Sequence, residues 1–212
     1  MRGTIIRAVM VGAAALVLLS GCFVYDAKPA RTKVINDTDE PVAVHLLGSG
    51  RVLVSAGRDT RTLADEECLG HSVVVSGADG EVLAGFDGAV CPNTTVRLFS
   101  DGRVSVSDDG HPREPLSDPP AVWPQVFNSL DRMQELFVTG WDLVGQEGEC
   151  RGDGLVVAEA TGLVRELYPG AVCPGTVVRL FDDGQIEVTD DGIARTPSPD
   201  PPRTWPPSVD EG

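Results

Sequence analysis

The sequence predicts an all-β protein built as two tandem, small antiparallel β-sandwich or barrel domains, each with one disulfide. Three observations carry that expectation. Residues 67–124 recur 82 positions further on, ungapped, with 31 of 58 residues identical. The apolar residues are mostly Val, with Leu and Ile, in short runs broken by Gly, Asp, Asn and Pro, the patterning of strands and turns. Each copy carries two cysteines 23 residues apart: Cys68 and Cys91 in the first, Cys150 and Cys173 in the second.

The first copy spans 33–124 and the second 125–206, leaving 207–212 as a tail expected to be disordered. Their openings correspond more loosely. KVINDTDEPVAV (33–44) resembles QVFNSLDRMQELFV (125–138), and about ten residues are missing from the second copy before Cys150. Units of this size bury a marginal core. A disulfide closing a loop of some two dozen residues adds about 3 kcal/mol by restricting the unfolded chain. One larger β-structure shared by both copies is the alternative, disfavoured because each copy has a staple of its own.

Taken in order, strands are expected near 33–36, 42–47 and 51–55, with counterparts near 126–128 and 136–144. Asp131–Leu136 has room for a helical turn, but Pro41 in the corresponding part of copy one argues against a long helix. A hairpin follows: Ser72–Ser76 and Glu81–Phe86 flank Ala78-Asp79-Gly80, and Leu155–Ala158 and Leu163–Tyr168 flank Ala160-Thr161-Gly162. Centring the loop on Asp79 sets Cys68 nearly opposite Cys91, and the same register sets Cys150 by Cys173. Close Cα atoms are what a disulfide needs, so Cys68–Cys91 and Cys150–Cys173 are the expected pairs.

The next hairpin turns at Ser100-Asp101-Gly102 and at Asp182-Asp183-Gly184. A two-residue Asp-Gly turn would mix apolar and polar side chains on one face. A three-residue loop with a left-handed Gly102 pairs Leu98 with Val104 and Val96 with Val106. In copy two it pairs Leu180 with Ile186 and Val178 with Val188, and it sets Arg179 across from Glu187. Each copy then ends in a proline-rich arm carrying a tryptophan in phase, Trp123 or Trp205, expected to pack back onto its own domain or the next.

The N-terminus has the marks of a targeting segment. Arg2 and Arg7 precede a short apolar run, Ala8 to Leu19, which ends in Leu19-Ser20-Gly21-Cys22. That tetrapeptide resembles the lipobox of bacterial membrane lipoproteins. The resemblance covers residues 1–22 and implies a signal peptide over 1–21, cleavage before Cys22, and a diacylglycerol thioether on that cysteine. Residues 22–32 then form a tether holding the body to the cell membrane on its extracytoplasmic side. Two or three acyl chains hold where a single one would not. Cysteine arithmetic agrees: lipidation of Cys22 leaves four, an even set suited to an oxidising compartment. The net charge of −15, or −17 once Arg2 and Arg7 are removed, excludes nucleic acid as a natural partner.

Nothing in the repeat reads as chemistry. The histidines are His45, His71 and His111, and copy two has Asp153 and Ile193 where copy one has the last two. No metal-ligand spacing or nucleophile elbow is present. The Asp-Gly pairs are attractive to hard cations, but tight turns select the same residues, and that reading is preferred. The resulting expectation is a non-enzymatic protein-interaction or structural module of the cell envelope, without catalytic residues, metal or cofactor. The alternative is a carbohydrate or cell-wall-polymer binder using Trp123 and Trp205 as ligand contacts. The partner is accordingly an envelope protein or a cell-wall glycan.

Overall fold

The computed structural model describes residues 31–63, 66–128, 134–139, 149–159 and 161–205. Cys22, the signal and most of the tether, and the 207–212 tail lie outside the described residues. So do 131–133 of the segment considered for a helical turn; its remainder, Gln134 to Leu136, is strand.

Among the described residues every regular element is a strand. Copy one contains β1 (Lys33–Asn36), β2 (Val42–Leu47), β3 (Arg51–Ser55), β4 (Asp59–Thr62), β5 (Ser72–Ser76), β6 (Val82–Asp87), β7 (Thr94–Leu98), β8 (Val104–Asp108) and β9 (His111–Pro112). Copy two contains β10 (Gln125–Asn128), β11 (Gln134–Thr139), β12 (Gly154–Glu159), β13 (Val164–Pro169), β14 (Thr176–Leu180), β15 (Ile186–Asp190) and β16 (Ile193–Ala194). The fold is therefore all-β, with disulfides Cys68–Cys91 and Cys150–Cys173 at Cα separations of 4.0 Å. The ten-residue deletion in copy two falls on the stretch that forms the β3–β4 hairpin in copy one.

Both hairpin registers follow the alternation of side chains. Leu98 faces Val104 and Val96 faces Val106, with Gly102 at φ 84°. Leu180 faces Ile186, and Arg179 pairs with Glu187 at 3.4 Å. The preceding hairpin carries a bulge at Val75/Ser76, repeated at Val157/Ala158. The extra residue shifts the register by one, so Leu69 bridges Val90 and the two cysteines fall directly opposite each other.

The copies are joined more closely than two beads on a string. A seven-stranded sheet, ordered β13-β12-β11-β3-β2-β5-β6, runs through both. A five-stranded sheet, β4-β1-β7-β8-β9, covers one face over copy one, and a four-stranded sheet, β10-β14-β15-β16, covers the other over copy two. Strand β3 sits at the middle, antiparallel to β2 on one side and to β11 on the other. Exchanging the copies therefore reverses strand order and face but keeps strand direction, as a pseudo-twofold axis along β3 requires. The two pairings differ by one residue: Val44 faces Leu53, whereas its counterpart Leu136 faces Val52. A one-residue slip turns a strand's side chains over, so β3 feeds both cores. Leu53 belongs to the first, while Val52, Val54 and Ala43 of copy one belong to the second.

The expectation that local disulfides disfavour a shared structure is corrected to this extent: two cores and two covering sheets are separate, and the middle sheet is common. Each disulfide ties only the open end of its own hairpin. It places no constraint on β11, which pairs with β3 of copy one.

Candidate functional site: a cleft at one end of copy one

Three loops gather at the end of copy one away from its disulfide: 37–41 between β1 and β2, 77–81 between β5 and β6, and 99–103 between β7 and β8. Each is tied down from within. Asn36, 1% exposed, spends its whole amide on the first. Its Nδ2 donates to Glu40 O at 2.7 Å and Ala56 O at 3.0 Å, and its Oδ1 accepts from Thr38 N at 3.0 Å and Thr38 Oγ1 at 2.7 Å. In the second loop Asp79 Oδ1 accepts from Glu81 N at 2.9 Å. In the third Asp101 accepts from Arg103 N at 3.1 Å and Arg103 Nε at 2.7 Å, which holds its carboxyl below the ordinary range.

Between these loops lies an open cleft of about 420 Å³, lined by Pro41, Val42, Leu83 and Leu98 with Glu40 and Asp79 at its rim. That volume is in the range of ligand pockets, as is an apolar lining with a few polar groups. Leu83 is 42% exposed, one of the few large apolar side chains left to solvent.

Copy two treats the same place differently. Arg165 stands where copy one has Leu83, and its guanidinium donates to Gly184 O at 2.6 Å, tying the shared sheet to the covering sheet. Tyr168, in place of Phe86, adds a second contact between the sheets: its hydroxyl lies 3.1 Å from Ile186 O and is shared with the Glu166 carboxylate. Burial and the Glu166 carboxylate push the Tyr168 phenol well above its usual pKa, so it stays a donor.

At the disulfide end both copies build one node from residues identical in each. Arg113 forks onto Asp108 and reaches Gly88 O at 2.7 Å and Ala89 O at 2.6 Å; Thr94 bonds Asp108 at 2.7 Å and accepts from Cys91 N at 2.9 Å. Arg195, Asp190, Thr176 and Cys173 repeat this. The adjacent arginine lowers the pKa of Asp108 and of Asp190. These aspartates of the Asp-Asp-Gly turns are thus engaged in fastening the arm to the disulfide. Sequence reasoning missed the node, although identity of all four residues in both copies was a signal for it.

Trp123 is a core residue, and Trp205 stands outside both cores. Trp123 is 6% exposed, donates from Nε1 to Val172 O at 3.1 Å, and lies under the Arg151 guanidinium at 4.7 Å. Its assignment as a ligand contact is corrected: both the ring and its N–H are consumed by copy two's core. Trp205 is half-buried, with its ring 6.2 Å from Phe137. His45 is buried and bonds Ser76 at 3.0 Å; His71 and His111 are exposed and far apart in the strand order. Among the described residues no three His, Cys, Asp or Glu side chains gather to hold a metal ion. No protein-family model matches the chain, and no curated protein is similar to it. What the fold and the cleft define is a disulfide-stapled double β-sandwich with an open cleft at one end of copy one.

Proposed function

We propose that the protein is a lipoprotein anchored through Cys22 on the extracytoplasmic side of the cell membrane, where it acts as a non-enzymatic protein-interaction module of the envelope. The carrying observation is polarity within copy one. The chain leaves the tether at the disulfide end, where Thr32 Oγ1 donates to Cys91 O at 2.8 Å, and the cleft lies at the other end of the same strands. An anchor at one end leaves the other directed away from the bilayer. The lipobox, the odd cysteine and the paired disulfides all support an exported, acylated chain. The carbohydrate reading is weaker because Trp123, one of its two stacking platforms, is withdrawn into the core.

A photo-crosslinker placed at Leu83 of the full-length protein in its own membranes tests the reading, with the 75%-exposed Ile193 as control position. A discrete adduct to an envelope protein from Leu83 alone is expected, with Cys22→Ala releasing the protein from the membrane fraction. Equal labelling from both positions, or wild-type protein that washes off membranes without detergent, would overturn it.

A further inference from the structure

We infer that the copy-one cleft accepts an apolar side chain presented by a cationic segment of a partner protein; this rests on the interaction-module reading above. Two independent observations point there. First, the copies differ at one wall of the cleft: Leu83 lines it in copy one, and Arg165 at the same position bonds Gly184 O in copy two. Leu83 leaves Gly102 with nothing within 4 Å of where a Cβ would sit, whereas Arg165 stands 3.1 Å from the same point on Gly184. The duplication thus supplies its own comparison: one copy spans the gap with a polar tie, and the other lines it with Val42, Leu83 and Leu98.

Second, the acids around the opening fall into two groups. Asp37 pairs with Arg97 at 2.7 Å, Asp39 with Arg58, and Asp101 with Arg103 at 2.7 Å. Glu40 and Asp79, the two acidic residues at the rim of the cleft, have no cationic partner among the described residues. An apolar slot between two unneutralised carboxylates complements a leucine-sized side chain flanked by Lys or Arg. It repels an acidic segment, the more so on a chain of net charge −15.

The test uses full-length protein in phosphatidylcholine vesicles and co-sedimentation of labelled pentapeptides, with empty vesicles as blank. Gly-Lys-Leu-Lys-Gly is expected to bind saturably, and Gly-Glu-Leu-Glu-Gly and Gly-Lys-Gly-Lys-Gly at least tenfold more weakly. Leu83→Arg, which copies the second repeat, should weaken the first peptide at least tenfold, while Leu163→Arg on an exposed site elsewhere leaves it unchanged. Combining Glu40→Gln with Asp79→Asn should flatten the salt dependence of binding. Equal binding of the acidic peptide, or insensitivity to Leu83→Arg, overturns the inference. So does oleate binding that Leu83→Arg abolishes when no peptide binds, since the slot would then hold a small amphiphile. A specific Leu83 cross-link to an envelope protein with no peptide binding would sink this inference and leave the interaction reading standing.

Discussion

Acidification should destabilise this protein well above the pH at which its carboxylates protonate, and His45 is the reason. Its ring lies between β2 and β5, 2% exposed, bonded to Ser76, and lines a small cavity with Trp123 and Arg151. Burial lowers its pKa from 6.5 to about 3. The folded state therefore keeps the ring neutral while the unfolded chain takes up a proton below pH 6.5. Stability from this group is complete above 6.5 and falls as pH drops towards 3, by about 1.4 kcal/mol per unit, so about 3 kcal/mol is gone by pH 4.5. Asp108 and Asp190, whose pKa values are lowered, act in the same direction but only below the ordinary carboxylate range. The window from 4.5 to 6.5 thus isolates the histidine. Urea unfolding of a chain beginning at Phe23, which keeps every described residue, should show the midpoint falling through that window. His45→Gln carries an amide where Nε2 stands, keeps a partner for Ser76 and does not titrate, so its midpoint should stay flat there. A variant slope equal to wild type would refute the argument.

Two further outcomes concern the join between copies. Arg51 and Glu135 pair at 3.0 Å across β3 and β11, with side chains 14% and 6% exposed; Glu135→Ala, by breaking a largely buried ion pair, should cost about 3 kcal/mol in urea unfolding, and a loss under about 1 kcal/mol would class the pair with exposed ones. Residues 125–205 prepared alone should show no cooperative unfolding, because β11 loses its β3 neighbour and the second core loses Val52, Val54 and Trp123. Three such side chains contribute about 5 kcal/mol or more, comparable with the whole stability of a small domain. Adding copy one separately should restore dispersed proton NMR signals, and a cooperative transition of the isolated fragment would contradict the shared-sheet account.

Much of this architecture was legible because the duplicated alternation of Val and Leu admits one sensible register per hairpin. The left-handed Gly102 and Gly184 followed from that register, and both disulfides from it together with the repeated spacing of 23 residues. Strand β4 was missed because Asp59-Thr60-Arg61-Thr62 is polar and half-exposed, an edge strand without an apolar face. The double role of β3 was present as a hint. Val52, Leu53 and Val54 are consecutive and all buried, and unbroken apolar runs belong to strands covered on both faces. Which neighbour covers the second face is a question of the partner's edge, and that depends on what copy two has lost. The cleft was equally concealed. Leu83 and Arg165 stand out in the alignment as a mismatch, but only the gap between two sheets gives the mismatch a meaning.

The central strand also says something about history. With Val52, Val54 and Trp123 of the first copy built into the second core, the second half depends on its neighbour for part of its own interior. A gene that began as a tandem duplication thus encodes halves that are no longer interchangeable. Its halves were afterwards free to diverge in their loops while remaining bound to a common spine.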